Sequence, residues 1–239
     1  LNSYAKQYKA ALAAFEKTEQ LADESSTKDE LLTPVFYFWY AAACERDGQI
    51  ERAEKMFLKC VDLDPDHAEA YNYLAYMWAE KGIKLDKAME TIRKALKLDP
   101  SSGAFIDTLG WIYFMQGKYD EALKSIGKAS EILPDDATIV EHLGSVYDKL
   151  GDADKALEYW KKSITLDPEN AALSEKLKGL GVDLQPLLDQ AAVMKKARDE
   201  EEIKTIEEQL ALPEEAPDAE PASTNEPPAE LPPAIDPVP

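Results

Sequence analysis

A spacing that repeats itself constrains this chain more than any other feature. Ala53, Ala88, Ala122 and Ala156 are separated by steps of 35, 34 and 34 residues, and Pro65, Pro100, Pro134 and Pro168 by the same three steps. Tyr40, Leu74, Leu109 and Leu143 keep the same register in the first half of each unit, with steps of 34, 35 and 34. A unit of this length holds two helices and cannot bury its own apolar faces, so it must stack on its neighbours. The stretch Ile106 to Pro134 displays the logic of one copy. Ile106, Leu109, Gly110 and Tyr113 lie on one stripe of a first helix, Gly117 stops it, and Ala122, Ile126 and Ala129 make the stripe of a second. Pro134 ends that helix, because proline lacks an N–H and its φ is fixed. The single extra residue of the array falls in the turn of the second unit, GIKLDKA, where it disturbs no helix.

This pattern predicts first helices near 34–47, 67–81, 103–116 and 137–150, and second helices near 50–63, 85–98, 119–132 and 153–166. Four repeats follow, 34–67, 68–102, 103–136 and 137–170. Ahead of them, Tyr8, Ala11 and Phe15 have the spacing of a second helix alone, so residues 1–33 read as a partial repeat and a loop over the polar segment Asp23 to Glu30. A second helix without its first would leave its stripe bare, which leads us to expect further repeats upstream. After Pro168, Asn170 is placed to cap a short helix that ends near Lys178, and Gly179 and Gly181 break it. Leu173 and Leu177 can then cover the last hairpin. Gln185 to Leu212 reads as a longer helix whose second half carries only the thin stripe Ile203, Ile206 and Leu210. Residues 171–212 are thus a capping segment. The last segment, 213–239, holds nine of the fifteen prolines and seven acids with no Lys or Arg. Its composition predicts a disordered tail.

Val140-x2-Leu143-Gly144-x2-Tyr147, then Ala156-x3-Trp160, then Pro168, resembles the tetratricopeptide repeat. The resemblance implies an all-α fold, a right-handed superhelix of antiparallel hairpins whose first helices line a concave face. The phrases YNYLAYMWAEKG, DTLGWIYF and EHLGSVYDKLGD are similar to the last repeats of long bacterial tetratricopeptide proteins, many of them tied to the cell envelope. That likeness favours an envelope or periplasmic address over the cytoplasm.

A formal net charge of −20, of which −13 falls on residues 1–212, argues against a nucleic-acid role, since no basic cluster interrupts it. The longest apolar run, Val35 to Cys44, has ten residues, where a membrane-spanning helix needs about 20. Cys44 and Cys60 take core positions of one hairpin, as buried free thiols do. Asp62, Asp64 and Asp66 have the opening spacing of a calcium loop, but His67 and Tyr73 stand where that loop needs Gly and Glu. The Leu-Asp-Pro phrase at 98–100 and 166–168 marks the aspartates as repeat endings instead. His67 and His142 have no partner pattern, and there is no metal-ligand cluster, nucleophile with its base, or phosphate loop. The sequence therefore points to no enzyme, no cofactor and no metal.

What remains is surface. The groove positions implied by the resemblance hold Phe38, Trp39 and Ala42; Glu69, Asn72, Tyr73 and Tyr76; Asp107, Thr108, Trp111, Phe114 and Met115; Glu141, His142, Ser145 and Asp148. The centre is aromatic and the edges acidic. Asn72, Tyr73, Tyr76, Asp107, Trp111 and Glu141 are the expected partner-binding residues, facing a protein or peptide segment that is apolar or basic. The repeat domains that grip a carboxylate end use Lys and Asn at these positions; here only Asn72 is of that type. The alternative is self-association through the N-terminal half repeat or the helix over 185–212, in a structural module of an envelope complex.

Overall fold

The computed structural model describes residues 2–23 and 27–211, and among them there are twelve helices and no strand. The long helix α1 (Asn2–Asp23) and a single turn α2 (Lys28–Leu31) precede four antiparallel hairpins. These are α3 (Pro34–Arg46) with α4 (Ile50–Leu63), α5 (Ala68–Glu80) with α6 (Leu85–Leu98), α7 (Gly103–Met115) with α8 (Tyr119–Ile132), and α9 (Ala137–Leu150) with α10 (Ala153–Leu166). Then come α11 (Ala171–Gly179) and α12 (Gln185–Ala211). The fold is an all-α solenoid. The expected tail at 213–239 lies outside the described residues. The loop expected over 23–30 is replaced in its second half by α2, whose N–H groups at Glu30 and Leu31 bond to the Thr27 carbonyl at 3.1 and 3.2 Å. Charged side chains hid a turn of good helix formers.

The helix starts are fixed by side chains that accept the otherwise orphaned N–H groups of the first turn. Thr33 accepts from Phe36, Ser102 from Phe105, Asp136 from Thr138 and Ile139, and Asn170 from Leu173 at 2.9 Å. The recurring aspartates hold the connections between hairpins. Asp64, Asp99 and Asp167 each accept from the N–H two residues on, at 3.1, 3.0 and 3.1 Å, so Leu-Asp-Pro is a turn signal. Inside each hairpin the turn is different. Gly117 and Gly151 take φ of +76° and +85°, which only glycine adopts without strain. The inserted residue of the second hairpin puts Lys84 at φ +50° as well.

Continuous buried seams join the hairpins, with Tyr40, Phe57, Leu74 and Ile92 in the first half and Ile126, Ile139 and Val146 beyond. Trp160, Ile164, Leu173, Leu177 and Leu184 close the series, so α11 does cover the last hairpin. First and second helices approach closely at Gly110 and Gly144: a Cβ on Gly144 would stand 2.4 Å from Cδ1 of Trp160. Cys44 and Cys60 are buried free thiols, and burial pushes both up to about 11. The unit that ends at Ala192 contains all of this. A second unit starts at Val193, and its residues 195–206 are helical and exposed.

Polar clamps link successive hairpins. The Glu54 carboxylate on α4 accepts from Trp78 Nε1 at 3.0 Å and from Lys84 Nζ at 2.6 Å, and Lys84 also lies over the Trp78 ring. Burial works against the charge on Glu54, but the Lys84 and Trp78 bonds overcome it and hold the carboxyl below its ordinary value. The sign of the pH effect follows. A carboxyl lowered in the folded state contributes stability that is present above its unfolded value and is lost as pH falls through the lower folded value. The denaturation midpoint of Glu54→Gln should therefore lie below wild type at neutral pH and converge with it in acid. A midpoint difference that stays constant with pH would contradict this.

A groove across the first helices

The first helices of successive hairpins lie side by side, α5 against α7 and α7 against α9, so residues at equivalent positions converge. Between them is a groove of about 830 Å³. Of the six residues expected to bind a partner, Asn72, Tyr73, Tyr76 and Asp107 line it, whereas Trp111 and Glu141 do not. Tyr73 is 42% exposed and meets Phe38 edge to face. Tyr76 is half-buried, and burial, followed by the negative charges of Glu80 and Asp107, raises its phenol well above the ordinary value. Trp39 is exposed and lies outside the lining, and Phe38 is buried and stacked on His67.

Asp107 departs from the expectation of an open acid. It is only 4% exposed, and His142 Nδ1 donates to its carboxylate, with both oxygens at 3.0 and 2.9 Å. His142 therefore has the partner that spacing along the chain did not suggest. Thr108 is buried too. The imidazole stacks on Trp111 at 3.9 Å between centroids, and Trp111 stacks in turn on Phe114 at 4.5 Å. Trp111 thus covers the imidazole face of the pair. Glu141 is tied up as well, since its carboxylate accepts from Asn170 Nδ2 at 2.8 Å while Asn170 caps α11. Lys176 on that helix sits 3.3 Å from the Trp160 ring centre, and burial lowers its pKa against the opposing pull of Asp148 and Glu141.

Other lining residues were not foreseen. Glu80 and Lys81 lie at the end of α5, and Glu45 and Arg46 at the end of α3, with Arg46 donating to the Tyr8 hydroxyl at 3.3 Å. Asp136 and Thr138 add the start of the last hairpin. A signal for Glu80 was present, because Asn72, Tyr76 and Glu80 are spaced i, i+4 and i+8 on one face. The lining carries Glu45, Glu80, Asp107 and Asp136 against Arg46 and Lys81, so acids outnumber bases.

Tetratricopeptide repeat profiles match residues 34–77 and 73–175. A stretch of 74 residues, 31% of this chain, is 36% identical to the TPR repeat-containing protein PA4667 of Pseudomonas aeruginosa. Another of 82 residues, 34% of the chain, is 33% identical to the mitochondrial import receptor subunit TOM70 of Rattus norvegicus. These matches span only 12% and 13% of the two relatives. Among solved structures, the thermophilic TPR protein TTC0263 of Thermus thermophilus superposes with a TM-score of 0.60 at 22% identity, over 74% of this chain and 93% of that one. MamA of Desulfovibrio magneticus RS-1 does so with 0.52 at 19%, over 70% and 97%. At such identities the likeness is one of fold. With profile matches running from residue 34 to residue 175 over a series of stacked helix hairpins, the chain belongs to the tetratricopeptide repeat family, whose fold serves as a scaffold for protein–protein interaction.

Proposed function

We propose that the groove across α5 and α7 binds an apolar or basic segment of a partner protein, and that the chain acts without catalysis to assemble that partner into a larger complex. The observation that carries this reading is the lining itself: an open trough of about 830 Å³ with Tyr73 and Tyr76 on its wall and a surplus of carboxylates around them. Aromatic side chains supply contact area at small entropic cost, and the acids select against anionic segments. The name of one relative, an import receptor subunit, is in keeping with the binding of proteins. Capture from a bacterial lysate with wild type and with Tyr73→Ala/Tyr76→Ala tests it. We expect the captured proteins to fall by about tenfold or more on the variant, as loss of aromatic anchors at an interface centre implies. Circular dichroism must report the same helicity for both. Equal capture would remove the groove from consideration.

One observation favours a second reading, self-association in a structural or envelope assembly. Val193, Ile203 and Ile206 on α12 are exposed, Val193 to 70%. Sedimentation over a range of concentrations should then give a rising mass that Ile203→Glu/Ile206→Glu abolishes. A constant monomer mass would dispose of it.

A further inference from the structure

We propose that the end of the array formed by α1 and α3 is a docking seat for one amphipathic helix of a partner protein, which takes there the place that a first helix takes in each hairpin. The seat is separate from the groove, since neither Ala11 nor Trp39, its two ends, lines that trough.

α1 packs on α3 as α4 packs on α5, α6 on α7 and α8 on α9, so it stands where a second helix stands. Its Ala11, Phe15 and Thr18 have the spacing of Ala53, Phe57 and Cys60 on α4. In the hairpins the first helix crosses over these places and closes them. Ala53, Ala88, Ala122 and Ala156 are at most 1% exposed, and so are Cys60, Ala95, Ala129 and Ser163. On α1, Ala11 and Thr18 stay partly exposed.

α3 is open as well. The place of Trp39 is held by Tyr73 on α5, Thr108 on α7 and His142 on α9. Tyr73 meets Phe38 on the first helix before it, His142 meets Asp107 and Trp111 on the one before it, and Thr108 is buried. This place is therefore where each first helix receives its predecessor. No first helix precedes α3 among the described residues, and Trp39 is 58% exposed. Since α5 rests on both α6 and α7, and α7 on both α8 and α9, one helix placed by the same rule meets α1 and α3 together.

The existing hairpins define what fits. The counterparts of Phe15 in the last two, Ile126 and Trp160, lie against glycine, so close that a Cβ on Gly110 or Gly144 would stand 2.5 or 2.4 Å from them. The first two hairpins have the fully buried Ala41 and Ala75 at that place. The occupant accordingly carries Gly or Ala over Phe15. Apolar residues stand one and four places before it and three after, as Leu143, Val140 and Tyr147 do around Gly144. A helix brings its backbone groups already bonded, whereas an extended segment would lay unpaired N–H and C=O groups over Phe15 and Trp39. The exposed part of α12 does not supply this pattern from a second copy, because Lys196 and Glu200 stand one before and three after its Ala197.

The probe is the α9 sequence, residues 137–150, made as a hydrocarbon-stapled peptide because 14 residues alone form little helix. Fluorescence anisotropy follows its titration with the whole chain. We expect it to bind, and its Gly144→Leu form to bind about tenfold more weakly or worse, because the larger side chain cannot close on Phe15. On the chain, Trp39→Ala removes an aromatic anchor and should weaken the first peptide by about tenfold. Ala11→Leu obstructs the crossing and should do the same. Both changes fall at open positions, and circular dichroism must report the helicity of wild type. Tyr76→Ala, in the groove, should leave the peptide's affinity as it was. A peptide that does not bind, that binds equally well with leucine, or that responds to Tyr76→Ala and not to Trp39→Ala overturns the seat. A chain whose sedimentation mass doubles with concentration, and returns to that of the monomer on Ala11→Leu, gives the seat to a second copy and overturns the partner.

Discussion

Replacing Gly144 by alanine should destabilise the array by about 2 kcal/mol, a typical cost of forcing an extra carbon into a packed core. The added Cβ would stand 2.4, 2.5 and 3.0 Å from Cδ1, Nε1 and Cγ of Trp160. These are atoms of a rigid ring, buried beneath Lys176, and not the free end of a flexible chain. The ring cannot step aside without disturbing Leu173 and Leu177, which share its cluster. Ala41 and Ala75, at the equivalent places of the first two hairpins, carry a Cβ in full burial, so the helix position alone does not demand glycine; the close approach of the Trp160 ring does. Urea denaturation of Gly144→Ala, Trp160→Leu and the double variant would measure it. The two losses should fail to add, because the smaller side chain makes room for the methyl. Additive losses, or a Gly144→Ala protein as stable as wild type, would contradict the argument.

The second large effect concerns Asp107 and His142. Removing one member of a buried hydrogen-bonded pair leaves the other without a partner among apolar neighbours, so Asp107→Ala should cost about 3 kcal/mol. The neighbours include the rings of Trp111, stacked on the imidazole, and of Tyr76. Replacing both, Asp107→Leu with His142→Leu, should cost less than either single change, since two apolar groups need no partner. A double-mutant cycle in urea with circular dichroism decides it. Independent, additive losses would mean that the pair does not act as a pair. The variants also separate stability from recognition, because Asp107 lines the groove and His142 does not.

The helices were legible because their evidence lies along the chain. Period, glycine stops and proline ends predicted a last first helix over 137–150 and second helices over 50–63, 85–98, 119–132 and 153–166, and the structure has helices at those residues. Asn170 was legible as a cap because only its own neighbours matter. Asp107 and His142 were not, because their separation of 35 residues is one repeat plus a step across the helix face. Periodicity says which residues share a stripe; it is silent on which residue of the next stripe stands opposite. The same gap hid the bond between Glu141 and Asn170, which joins α9 to the start of α11. It also placed Trp111 at the surface, where its neighbour proves to be an imidazole.

The turns inside the hairpins differ from those between them in how much they can be altered. Between hairpins, an aspartate closes each of three connections onto its own backbone, and α5, α7 and α9 begin within a few residues of it or of Leu133. Within hairpins, the space around Gly48, Gly117 and Gly151 is open, since a Cβ built there meets nothing within 4 Å, while φ of +80°, +76° and +85° reserves the three positions themselves for glycine. The second hairpin already carries an extra residue there, and its Lys84 reaches back to Glu54 without shortening α5 or α6. These inner turns are therefore natural ports for grafting. A fluorescent reporter or an epitope spliced in after Gly117 would travel with the array while leaving the helix spacing, and with it the geometry of the trough, unaltered.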